Sequence, residues 1–210
     1  MKKLKLLVLA SGGGTNLQAI IDSIEQGKLN AEIKAVVSNN SKAFCLERAR
    51  THSIQAIHLS HKMFATTEEF DQKFLSILKE NEVDMIILAG YMKMLSPTVV
   101  RAYKNRILNI HPALLPSFGG EGMYGIHVHE AVINSGAKIT GVSVHLVDEV
   151  YDHGIIVLQQ SVPVLDNDTP ESLQQRVLEI EHKLYPQTIQ LFAEDRVEIM
   201  GNKARLKNAQ

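Results

Sequence analysis

The stretch LKLLVLASGGGTNLQAI, residues 4–20, runs from an apolar segment through three consecutive glycines into a helical pattern. Residues 6–10 are apolar without a break, as a strand buried on both faces requires. Gly12, Gly13 and Gly14 let the backbone turn sharply and approach a ligand closely. A helix is predicted over 16–26, ending at Gly27. Its unpaired N–H groups and the positive end of its dipole open onto that turn and favour a phosphate. Strand, glycine turn and helix in this order begin a sheet with helices on its faces.

The glycines do not complete either of two familiar nucleotide patterns. Leu17 stands where a dinucleotide fingerprint has its third glycine. The second strand ends in Ser38-Asn39-Asn40, with no acid to grip a ribose hydroxyl. No Gly-Lys-Ser/Thr follows, so this is not a Walker loop. A monophosphate-bearing ligand held by Gly14, Thr15 and Asn16 fits the turn, as does a glycine turn with no ligand.

Working outward, short apolar runs predict strands over 4–10, 33–38, 56–59, 85–89, 107–110, 139–147 and 155–164. Helices are predicted over 16–26, 43–51, 68–80, 97–103, 128–135 and 170–193. In DNDTPESL, Thr169 is the predicted cap and Pro170 the first helical residue. The alternation predicts an α/β, Rossmann-like fold: a mainly parallel sheet of about seven strands, helices on both faces, and an antiparallel strand toward the C-terminal part. No repeat or linker interrupts it. The expected organisation is one domain over 1–194 followed by a short polar tail over 195–210.

Composition sets the surroundings. Of 210 residues, 45% are apolar and 21% charged, the proportions of an ordinary globule. A net charge of −1 gives no electrostatic reason to expect nucleic acid or an anionic membrane as partner. The single cysteine, Cys45, forms no internal disulfide and suits a reducing compartment. The first apolar run is shorter than the roughly 7–15 residues of a secretory core. No run reaches the roughly 18–20 residues that span a bilayer, so a cytoplasmic location is expected.

RILNIHPALLP, residues 106–116, holds the most informative polar pair. Pro112 pushes His111 into extended geometry, and side chains two apart on an extended segment share a face. Asn109 and His111 therefore project together near the carboxyl end of a strand, where open α/β sheets place their ligands. An amide can donate to a developing oxyanion, and an imidazole can carry a proton at neutral pH. A structural histidine bonded to its own loop would give the same pattern, and both readings stand at this point.

GVSVHLVDEVYDHG, residues 141–154, adds a strand bearing Ser143 and His145, then a loop with Asp148, Glu149 and Asp152. A carboxylate there could raise a nearby histidine's pKa or position a water. Spacing does not rank the three acids. His127-Val128-His129 lacks partners at metal spacing, so no metal site is expected. No G-x-S-x-G elbow is present.

Taken together, SGGGTNLQAI, AGYMKMLSP, ILNIHPALLPSF, GVSVHLVDEVYDHG and VLEIEHKLYP resemble, in that order, the folate-dependent formyltransferases, and among them the phosphoribosylglycinamide formyltransferase group. The resemblance runs from the first strand to about Phe192. It implies formyl transfer from 10-formyltetrahydrofolate, as co-substrate, to the amine of glycinamide ribonucleotide in purine biosynthesis, with no metal. It further implies Asn109 as oxyanion donor, His111 as proton carrier, Asp152 as the acid chosen from the loop, and His145 as a supporting residue. Gly14, Thr15, Asn16 and Glu181 would hold the ribonucleotide, while Met92, Lys93, Met94, Leu95 and Asn109 would line the folate pocket. The partners implied are small molecules, in a monomer or homodimer. The long segment SFGGEGMYGIHVHEAV, residues 117–132, is expected to move over the site.

Two rivals make different demands. Formyltetrahydrofolate deformylases, which use water as acceptor, usually carry an added N-terminal domain and a second histidine where this sequence has Pro112. A non-catalytic phosphate sensor would use the glycine turn alone and leave Asn109, His111 and Asp152 dispensable.

Overall fold

A computed structural model describes residues 2–207 and divides the chain into two compact units, one through Leu108 and one from Asn109. In the first, β1 (Leu4–Leu9), β2 (Ala31–Ser38), β3 (Gln55–His58) and β4 (Met85–Leu88) pair in parallel in the order β3-β2-β1-β4. Helices α1 (Thr15–Glu25), α2 (Phe44–Thr51) and α3 (Thr67–Glu80) connect them, and α4 (Pro97–Ala102) follows β4. The predicted apolar run is the centre of this unit. Leu6, Leu7, Val8 and Ala10 have no exposed surface, and Val8 pairs with Val36 on one side and Ile87 on the other. Burial on both faces explains why β1 shows no polar alternation.

Local chemistry sets the helix ends. The Oγ atoms of Thr66 and Ser96 accept from the backbone N–H groups of Glu69 and Val99, capping α3 and α4. Gly14 instead precedes α1 with φ +71°, a left-handed conformation that glycine adopts without steric cost. The helix consequently begins at Thr15, one residue earlier than its apolar pattern indicates.

The second unit contains α5 (Ile126–Asn134), β6 (Ile139–Leu146), β7 (Ile156–Pro163) and α6 (Pro170–Ala193). It opens on the last residues of β5 (Ile107–His111), Asn109 to His111. β6 and β7 are antiparallel, with Val142 opposite Gln160 and an irregularity between Val144 and His145. Thr169 and Ser172 cap α6 reciprocally, and Pro170 occupies the first turn. The sheet has seven strands in the order β3-β2-β1-β4-β5-β6-β7, mainly parallel with β7 antiparallel to β6. This is the α/β architecture the alternating runs predict.

The structure adds an element at the segment read as a polar tail. β8 (Val197–Met200) and β9 (Lys203–Leu206) form an antiparallel hairpin. Val197 and Ile199 are half-buried while Glu198 and Met200 are exposed, an alternation too short and too diluted by charge to stand out in sequence. Residues 208–210 of the expected tail lie outside the described residues.

Candidate active site

β5 delivers Asn109 and His111 to the start of the second unit, and two loops of that unit meet them. His111 is buried, and its Nε2 lies 2.8 Å from the carbonyl oxygen of Phe118. A carbonyl can only accept, so Nε2 carries the proton and the lone pair of the neutral ring sits on Nδ1. Nδ1 faces Asp152 Oδ2 at 3.5 Å. The same Oδ2 accepts a 3.0 Å hydrogen bond from the N–H of Gly120. The 117–125 loop thus holds both partners through its backbone.

The second histidine has a larger part than its sequence suggests. His145, at the end of β6, places Nδ1 3.0 Å from the Leu146 carbonyl, which fixes the proton there. Its Nε2 lies 3.1 Å from Asn109 Nδ2 and 3.5 Å from Asp152 Oδ1. With the lone pair on Nε2, the Asn109 amide must present its NH2 group to the ring. One Asn109 N–H is thereby engaged, and the other remains to meet a ligand oxygen. Protonating Nε2 would turn that bond toward Asp152 and remove the acceptor for Asn109.

Electrostatics separate the acid from the base. Burial alone would raise the Asp152 carboxyl, but His145 and His111, protonated over the acid range where it titrates, together with the Gly120 N–H hold it below the ordinary aspartate value. Burial pushes His111 below its usual histidine value, against the Asp152 carboxylate and the Phe118 carbonyl, which raise it. At neutral pH the pair therefore rests as a carboxylate beside a neutral imidazole. A proton arriving at Nδ1 would be held by Asp152. Behind them, His129 is kept neutral: burial and the neighbouring His111 lower its pKa to about 4.

The support is local. Ser143 Oγ donates to the Ala113 carbonyl at 2.7 Å and accepts from the N–H of Leu115 at 2.9 Å and from Gln159 Nε2 at 2.8 Å. This clamps the chain just beyond His111 and Pro112. Asp152 itself has φ +53°. Two residues on, a Cβ at Gly154 would lie 1.8 Å from the Leu146 carbonyl oxygen. Gly154 is required for space, because that contact is with backbone and cannot rotate away. Gly154→Ala should cost about 3 kcal/mol of stability or more and displace Asp152, lowering activity beyond the loss of folded protein. Urea unfolding and activity per folded molecule measure the two effects separately.

The remaining sequence candidates fall in both units. Gly14, Thr15 and Asn16 form the turn from β1 into α1. Met92 and Met94 are exposed and Leu95 is buried in the irregular segment between β4 and α4, with Lys93 on the surface. Ser11 ties these two first-unit segments together: its Oγ donates to Asn39 Oδ1 at 2.6 Å and accepts from the Met92 N–H at 2.8 Å. Glu181 is buried on α6 of the second unit. The structure brings Asn109, His111 and Asp152 together through His145. The backbone partners Phe118 and Gly120 left no side-chain signal to find.

Helical geometry separates two other histidines. His127 and His129 both lie in α5, which starts at Ile126 rather than Val128, and residues two apart on a helix point to different faces. His129 is buried, whereas His127 pairs with Glu130 at the surface.

Comparison with known proteins gives consistent matches. The formyl transferase family model matches residues 4–189. The chain is 40% identical over 197 residues to the chloroplastic phosphoribosylglycinamide formyltransferase of Arabidopsis thaliana, covering 93% of this chain and 68% of that protein. It is 38% identical over 203 residues to the phosphoribosylglycinamide formyltransferase of Escherichia coli, covering 97% and 93%. The crystal structure of glycinamide ribonucleotide transformylase 1 from Symbiobacterium toebii superposes with a TM-score of 0.92 at 39% identity, covering 99% of this chain and 95% of that one.

Proposed function

Because the chain belongs to the formyl transferase family, we propose that it moves the formyl group of 10-formyltetrahydrofolate onto the amine of glycinamide ribonucleotide. The products would be formylglycinamide ribonucleotide and tetrahydrofolate, a step of purine biosynthesis. The observation that carries this reading is the Asn109–His145–Asp152–His111 cluster, in which an amide donor, a neutral base and a carboxylate share one network around two buried imidazoles.

In this mechanism the amine nitrogen attacks the formyl carbon, and the carbonyl oxygen becomes an oxyanion. Asn109 donates its free N–H to that oxygen, where a positioned donor stabilises developing charge. His111 takes the proton released by the amine, and Asp152 stabilises the imidazolium formed. As the tetrahedral intermediate collapses, the C–N bond to folate breaks, and the proton passes from His111 to the departing nitrogen. No metal is assigned a role.

The turn at Gly14, Thr15 and Asn16 is proposed to bind the ribonucleotide phosphate, since it joins a glycine bend to a helix N-terminus. Glu181 is proposed to bind the same substrate. The exposed segment of Met92, Lys93 and Met94, with Leu95 beneath, is proposed to line the folate pocket together with Asn109. Residues 1–194 would act as one formyltransferase domain, as monomer or homodimer, in the cytoplasm. Among the described residues no helix is long and apolar enough to cross a membrane.

Loss of formyl from the folate should depend on the ribonucleotide. With ribonucleotide present, tetrahydrofolate and formylated ribonucleotide should appear in equal amounts. Formate released at the same rate without it would identify a deformylase, and no consumption of formyl-folate would favour a non-catalytic binder.

A further inference from the structure

The guanidinium of Arg48, on α2, reaches the glycine turn. Its Nε donates to the Gly13 carbonyl at 2.8 Å and its Nη1 to Gln18 Oε1 at 2.9 Å, while the guanidinium carbon lies 4.9 Å above the Phe44 ring. The preceding carbonyl, Gly12, accepts from the Cys45 N–H at 3.0 Å. Two successive carbonyls of the turn are therefore drawn to α2. A trans peptide is planar, with its N–H opposite its C=O, so the N–H groups of Gly13 and Gly14 point away from α2. Consecutive N–H groups turned to one side form an anion-binding concavity.

The turn cannot move closer to α2. Gly14 lies so near that helix that a Cβ there would meet Cys45 Cβ at 2.7 Å. Arg48 also lacks an acidic partner among the described residues, whereas Arg50, Arg176 and Arg196 pair with Glu47, Asp168 and Glu194. Its charge is left for something else. The side chain is nonetheless held firmly, because its oxygen partner is fixed in orientation. With Gln18 Oε1 on Arg48, its NH2 faces Asp22 Oδ1 at 2.8 Å and His52 Nε2 at 3.2 Å. His52 then accepts at Nε2 and donates from Nδ1 to Glu25, 2.7 Å away. Every group in the chain from Arg48 to Glu25 has a matching partner.

We propose that Arg48 is the positioning residue of the phosphate site, orienting the Gly13–Gly14 peptide toward the ligand and supplying the positive charge that selects a phosphorylated acceptor. This rests on the reading of the turn as the ribonucleotide's phosphate site. Arg48 acts on binding of one substrate only, because it touches neither the folate segment nor the Asn109 cluster in the described contacts.

The test uses the full chain with Arg48→Ala, Arg48→Gln and Arg48→Lys. Loss of a charge-assisted hydrogen bond should raise KM for the ribonucleotide about 10–100-fold. KM for formyl-folate and kcat at saturation should stay within about twofold. Arg48→Lys should recover part of the loss, since it keeps charge without the fixed planar donor. Inorganic phosphate gives a readout independent of turnover: it should raise the unfolding temperature of the wild type and have less effect on Arg48→Ala. If wild-type protein responds to phosphate in this way but transfers no formyl group, the proposed reaction fails and the role of Arg48 stands. An unchanged ribonucleotide KM with an unchanged phosphate response overturns the role. So does a lowered unfolding temperature with both KM values and kcat altered alike, the result of a purely structural staple.

Discussion

His111→Ala should lower turnover of formyl transfer by about 10²–10⁴-fold, the range contributed by a positioned proton carrier. Ribonucleotide binding should persist, because the glycine turn holds none of the imidazole's partners. The effect follows from where the ring's two nitrogens point. Nε2 is committed to the Phe118 carbonyl, which leaves Nδ1 as the only basic atom, facing Asp152 at 3.5 Å. Alanine removes that base and also the buried bond to the 117–125 loop. His111→Gln separates these effects, since its amide N–H can still donate to a carbonyl but does not carry a proton at neutral pH. A slow but well-folded glutamine variant would assign the loss to proton transfer. Activity within a few-fold of wild type in either variant would remove His111 from the mechanism.

Asp152→Asn should reduce kcat by about 10²-fold or more and move the acid limb of the pH–rate profile to lower pH. Burial lowers the His111 pKa and the Asp152 carboxylate opposes it. Without the carboxylate, burial acts with less opposition and the His111 pKa falls further. The imidazolium formed during transfer loses its counter-charge, so the reaction slows even though the base is neutral over a wider pH range.

Stability also depends on this carboxyl, and it too is lost on acidification. The Asp152 carboxyl is held below its ordinary value of about 3.9 in the folded protein. Its contribution is therefore present above that value and is lost as pH falls through the folded pKa. The asparagine variant should show a correspondingly weaker loss of stability on acidification over that acid range. Urea unfolding at neutral and acid pH measures this. An unchanged pH–rate profile would mean that Asp152 and His111 are not coupled.

The parts of the fold that rest on dense apolar periodicity were legible in the sequence. Residues 6–10 have no alternation because β1 is covered on both faces, and α6 matches its predicted span of 170–193 because cap, proline and apolar stripe agree. The β8–β9 hairpin was not legible, because its half-buried positions are few and set among Glu198, Lys203 and Arg205. The apolar pattern starts α1 one residue late, since the left-handed Gly14 rather than an apolar residue determines where the helix begins.

In the site, local physics placed Asn109 and His111 on one face but could not choose among three loop acids. The structure gives two of them different surroundings. Asp148 is used by its own loop, accepting from the N–H of Val150 at 2.8 Å and lying 2.8 Å from His153. Asp152 instead meets His111, His145 and the Gly120 N–H, groups far apart in sequence. No spacing rule reveals such a convergence. The Phe118 carbonyl and the Gly12 and Gly13 carbonyls were equally hidden, because every residue type carries a carbonyl and only the fold determines where it points.

The most direct measurement follows an isotopically labelled formyl group through a single turnover with enzyme in excess over formyl-folate and ribonucleotide present. The label should appear on the ribonucleotide amine with wild-type protein, and at a rate reduced by orders of magnitude with His111→Ala. Label released as formate by the wild type, or transferred at equal rates by both proteins, would contradict formyl transfer at the Asn109–His111–Asp152 cluster.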